Sequence, residues 1–148
     1  MTVSANKLTA ELISSLQGET MVSLITMNVE TNLPQLSVVS WVQPTADGTT
    51  IKVALGHKAS SIENIQRNPN VVLGVIGAGS CYSVQGKAYV SEIKELTMKL
   101  CVVTIEVETV ENVMFYGGKI TTEPAYKKTY NKDLAIKLDK EVYELLCE

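Results

Sequence analysis

Along the first twenty residues the apolar positions Leu8, Leu12, Ile13 and Leu16 recur at helical spacing. They predict a short amphipathic helix, with Ser4 or Asn6 as its cap and Gly18 as its stop. Beyond Met21 the period shortens to that of strands. Residues 21–28 and 35–43 are β-rich and flank the turn-prone stretch 30–34, which predicts a hairpin. Asp47-Gly48 then marks a tight turn into a third strand over 50–55.

After Gly56-His57-Lys58-Ala59, the pair Ser60 and Glu63 has the S-x-x-E spacing of a capping box and predicts a helix start with Ser60 as its cap. Asn68-Pro69 ends that helix, because the residue before a proline is pushed out of helical conformation. Ile62 and Ile65 are placed to face the core. Residues 71–76 read as a strand buried on both faces, 77–79 as a turn, and 81–91 as a long strand crossing Gly86. Residues 92–99 suit one helical turn or a loop. From Cys101 the alternation is clean, with Cys101, Val103, Ile105 and Val107 on one face and Thr104, Glu106 and Glu108 on a wet one. Residues 115–130 read as an irregular connection. Leu134, Leu138, Val142 and Leu145 then predict a C-terminal helix over about 133–146. The sum is a mainly β, α+β chain: one domain over 1–148, a six-stranded antiparallel barrel with short helices.

Bulk properties narrow the function. With 148 residues, 45% hydrophobic and 20% charged, the chain can bury a sizeable core. Arg67 is the only arginine, and the lysines form no stripe along one predicted face, so nothing resembles a phosphate-tracking nucleic-acid surface. No apolar run approaches the length of a membrane span, and residues 1–7 hold no apolar signal core, so a cytoplasmic protein is expected. Cys81, Cys101 and Cys147 are odd in number and widely spaced, with His57 the one histidine to help them. Neither a disulfide scaffold nor a metal site is expected.

Two places have chemical potential. The first turn of the helix beginning near Ser60 offers backbone N–H groups and a positive dipole end to an anion. Ser60 and Ser61 could add hydroxyls there, and Lys58 or His57 charge; equally, Ser60 could simply cap a surface helix. Trp41, the sole tryptophan, lies on the second strand, where Leu36, Val38, Ser40 and Val42 would share one side and Ser37, Val39 and Trp41 the other. It suits a core position or a wall for a flat ring. His57 has no nucleophile or orienting carboxylate at a telling spacing, so no catalytic residue is assigned.

Asn64-Ile65-Gln66-Arg67-Asn68-Pro69-Asn70-Val71 is similar to an N-L-x-x-N-P-x-V signature, and Val84-Gln85-Gly86-Lys87-Ala88 to a V-x-G-x-A strand. In this order, and over roughly residues 8–110, the chain resembles the pyridoxamine 5'-phosphate oxidase-like FMN-binding split barrels, including their small flavoredoxin-like and stress-protein members. The resemblance implies a homodimer with FMN in a groove between the two copies. The flavin ring would run along Ser37, Val38, Val39, Ser40 and Trp41. Its phosphate would meet Leu55, Gly56, His57, Lys58, Ser60 and Ser61, the position that the helix start indicates independently. Oxidase members carry basic residues where this chain has Ser37, Ser60 and Ser61. Residues from Tyr116 onward contain no arginine or histidine to bind a pyridoxal substrate, which argues against a true pyridoxamine phosphate oxidase. The expectation is a small flavoprotein with oxidoreductase chemistry. The alternative is a non-catalytic dimeric ligand-binding or stress-response module that holds another flavin-like ring or haem in the same groove.

Overall fold

The structure of the protein, a computed structural model, describes residues 4–18 and 20–148. Its elements are β1 (Ser4–Ala5), α1 (Ala10–Ser15), β2 (Val22–Met27), β3 (Pro34–Val39), β4 (Val42–Pro44), β5 (Thr50–Gly56), α2 (Ser60–Arg67), β6 (Asn70–Gly77), β7 (Ser80–Val90), β8 (Lys94–Glu95), β9 (Lys99–Asn112) and α3 (Lys132–Leu146). All pairings are antiparallel, and seven strands follow one path, β3-β2-β6-β7-β9-β5-β4, with β1 and β8 attached to β9.

The path has seven strands rather than six because the expected strand over 35–43 is broken at Ser40-Trp41. Strict alternation would send Val39 inward and Val42 outward, yet both are buried in the core. The chain absorbs the lost phase in a tight turn, where the Val42 N–H donates to the Ser40 carbonyl at 3.1 Å. Before the turn the strand pairs with β2; after it, with β5. The two ends of the path are therefore halves of one bent strand, and the sheet curls back on itself through that bend.

Leu24, Ile51, Val53, Leu73, Val84, Val103 and Ile105 fill the interior. Leu8, Leu12 and Leu16 on and around α1 close one part of it, and Ile62 and Ile65 of α2 another, as their spacing predicts. Each of these aliphatic side chains contributes roughly 1.5–3 kcal/mol by leaving water. Gly86 permits a close approach between β7 and β9: a Cβ there would lie 2.3 Å from the Glu106 carbonyl oxygen. The register shifts beside it, and Glu108 is the extra residue, so the inward phase of β9 passes from Ile105 to Val110.

Several expectations need correction. The cap of α1 is Thr9, whose hydroxyl accepts from the Leu12 N–H at 3.2 Å, rather than Ser4 or Asn6. Helix α2 has no capping box: Ala59 is its N-cap and Ser60 is its first helical residue. Residues 94–95 form a short strand. On α3 the buried stripe is Ala135, Leu138, Val142 and Leu146, whereas Leu134 stays 39% exposed. That stripe packs on Ala54, Leu100 and Val102, so the start of β9 is buried on both faces. Conversely β6 alternates, with Val72, Gly74 and Ile76 only half-buried on its outer side. Helix α3 thus covers the outer wall made by β4, β5 and β9, but not the wall made by β3, β2 and β6. No helix among the described residues is long and apolar enough to cross a membrane.

Candidate functional site

The bend at Ser40-Trp41 sets the site. The Ala54 N–H donates to the Trp41 carbonyl at 3.0 Å, which holds the bend against β5. From there β3 runs along β2, while β5 continues through Leu55 and Gly56 along β9. The first turn of α2 enters the wedge between them.

Side chains stitch that turn to β3. The Ser37 and Ser61 hydroxyls are 3.2 Å apart, and Gln35 Nε2 donates to Ser60 Oγ at 2.7 Å. Asn64, fully buried, completes the stitching: its Nδ2 donates to Thr26 Oγ1 at 3.0 Å and Gln35 Oε1 at 3.2 Å, and its Oδ1 accepts from the Val29 N–H. Buried amides need such partners, so Asn64 orients the helix. The sequence singled out Asn64 only as part of a motif and overlooked Gln35, whose role depends on strand pairing.

The proposed phosphate residues therefore converge, though in unequal states. Ser61 is 4% exposed and committed to Ser37, and Leu55 belongs to the core. Ser60 and Lys58 are open to solvent, and a Cβ on Gly56 would meet nothing within 4 Å, so the outer side of the turn is accessible. His57 is anchored twice to the Lys99 carbonyl, by its backbone N–H at 3.1 Å and by Nδ1 at 3.2 Å. A carbonyl can only accept, so Nδ1 is the donor in this contact.

Along the ring-binding stretch, Ser37 and Val39 face inward while Val38 is 63% exposed on the outer wall. Trp41 does not share the face of Ser37 and Val39 as alternation predicts. The bend turns it outward against α3, where Nε1 donates to Asp139 Oδ1 at 2.9 Å. The other Asp139 oxygen binds Lys128 Nζ. Burial works against the Lys128 charge, but the Asp139 carboxylate outweighs it, and the lysine pKa rises from its ordinary 10.5. Tyr143 adds a hydroxyl bond to the Ser40 carbonyl at 3.3 Å. A cavity of about 360 Å³ adjoins Ser40 and Trp41, walled by residues 126–130.

No family model matches the chain, and no curated protein matches it. Solved structures do share its fold. A Lactobacillus delbrueckii protein with the provisional designation pyridoxamine 5'-phosphate oxidase is 22% identical over 72% of this chain and 94% of its own, with a TM-score of 0.61. HupZ from Group A Streptococcus is 13% identical over 78% of this chain and 100% of its own, with a TM-score of 0.60. An F420 reductase is 18% identical over 66% of this chain and 93% of its own, with a TM-score of 0.52. The chain has the split-barrel fold of these proteins.

Proposed function

We propose that the protein is a small flavin-binding protein that works as a homodimer, with FMN held beside β3 and the start of α2. The observation that carries this reading is the opening turn of α2, delivered by Gly56 and Asn64 into the wedge beside β3 with Ser60 and Lys58 on its accessible side. Helix-start amides, one hydroxyl and one ammonium suit a phosphate. Val38, exposed on the outer side of β3 just before the bend, offers a surface along which a ring would lie. When bound, the flavin would supply electron or hydride transfer; the chain's own residues bind, orient and exclude water. A deazaflavin is the nearest variant of the same reading, given the fold shared with an F420 reductase.

The serines make the cradle weaker than one built on arginine, since a hydrogen bond to a charged donor is about twice as strong as a neutral one. FMN titration followed by the flavin absorbance tests the reading. Uptake at one FMN per chain is expected, and Ser60→Asp should weaken it at least tenfold by setting a carboxylate against the phosphate. Ser60→Arg should tighten it by a similar factor. A protein that stays colourless in excess FMN overturns the assignment.

One observation favours a second reading, the non-catalytic module that holds haem. With Nδ1 of His57 turned to the Lys99 carbonyl, Nε2 is the ring nitrogen left to ligate a metal. A Soret band on haem addition that is lost in His57→Ala would establish it.

A further inference from the structure

Residues 113–131 contain neither helix nor strand, yet part of this segment builds a second site against α3. Two cavities, about 360 and 400 Å³, flank it and share Tyr126, Lys127, Lys128 and Tyr130 as walls. The first ends on Trp41 and the second on Lys132 at the start of α3. Both volumes lie in the range of small-molecule pockets.

The lining charge is unbalanced. Asp139 is the one carboxylate lining either cavity, and it is already engaged by Lys128 and the Trp41 indole. Lys127 and Lys132 pair with no carboxylate among the described residues. The start of α3 lies beside them: its N-cap Asn131 accepts from the Leu134 N–H at 3.0 Å, and Asp133, in the same first turn, does not line either cavity. A chain of net charge −3 thus concentrates two cations, Lys127 and Lys132, in the second cavity beside Tyr126 and Tyr130. Aromatic walls select a flat ring, and the cations select its charge.

We propose that the second cavity binds a small aromatic anion, a planar ring bearing a carboxylate or comparable acidic group. It is separate from the cradle at α2, and stands whether or not a flavin occupies that cradle. Tyr126 and Tyr130 frame the ring, Lys127 and Lys132 meet the acid, and Asp139, which lines the same cavity and binds both Lys128 and the Trp41 indole, holds the wall in place and couples it to Trp41.

Benzoate is a suitable probe and Trp41, the only tryptophan, the reporter. Saturable one-to-one binding with a change in Trp41 emission is expected, with benzamide and acetate each at least tenfold weaker. Lys127→Gln combined with Lys132→Gln should lose at least tenfold in benzoate affinity, with the melting temperature and the FMN titration unchanged. Absence of benzoate binding at millimolar concentration overturns the proposal, as does equal binding of benzamide or acetate, or an unaffected double variant. So does competition between benzoate and FMN, which would make the two sites one. FMN uptake is read separately, so the flavin reading and this one can fail independently.

Discussion

Trp41 joins β5, α3 and the segment before α3 to the bend. Its carbonyl holds β5, its indole N–H binds Asp139, and its ring packs with Val142 and Leu146. Replacing Asp139 by alanine strands a half-buried ammonium and an indole N–H together. A loss of about 1–3 kcal/mol is expected, read by denaturant unfolding, with a red-shifted Trp41 emission. The pH dependence has a defined sign. Because the folded-state pKa of Lys128 lies above its ordinary 10.5, the pair contributes fully below that value and is lost as pH rises through the raised one. Above about pH 10.5 the wild type should therefore lose stability relative to Lys128→Met, and equal slopes for the two would show that the pair contributes nothing. Trp41 was visible in the sequence as a residue of interest, but its partner lies 98 positions away. No local pattern announces a contact of that range.

At the scale of elements, what was legible was what is locally determined. Asn68-Pro69 ends α2 through the steric demand of its own proline ring, and the Asp47-Gly48 turn forms where glycine adopts φ +74°. In that turn Thr45 and Thr49 hold the Asp47 carboxyl at about 2, below its usual 3.8. The turn's contribution is therefore present above pH 3.8 and lost as pH falls through about 2, and Asp47→Asn should flatten the acid limb of a stability-pH curve. The break in the second strand was not legible, because residues 35–43 hold no glycine or proline to mark it; the pairing of one half with β2 and of the other with β5 is visible only in the fold. The capping box failed for a related reason. Ser60 meets the Gln35 side chain brought alongside by β3, and Ala59 takes the cap position. Where backbones approach closely the cost of error is large. Gly86→Ala sets a Cβ 2.3 Å from the Glu106 carbonyl, and should cost at least about 2 kcal/mol in unfolding free energy by forcing β7 from β9.

The whole molecule is asymmetric in how its walls are covered. Helix α3 seals the wall of β4, β5 and β9, while Leu36 and Val38 stand 64% and 63% exposed on the opposite wall, beside the half-buried Ile25, Val72 and Ile76. A groove of about 310 Å³ between Val38, Ile76, Tyr82, Val113 and Pro124 continues that surface. In the proposed dimer this wall is the surface that a second copy would cover. Leu36→Glu with Val38→Glu should leave the fold intact, since both side chains already face water in the single chain, but should yield a monomer by sedimentation with reduced FMN capture. A double variant that still sediments as a dimer would place the interface elsewhere. Strand β9 has a different kind of importance. It pairs with β1, β5, β7 and β8, and apart from the bend it is the one bridge between the β3-β2-β6-β7 ribbon and the β4-β5 hairpin. A nascent chain that has emerged only through residue 98 therefore holds two ribbons with open oily faces and no keystone. Closure must wait on the order of a second for the next stretch to leave the ribosome, and for that interval the unfinished chain leaves its apolar faces open to solvent.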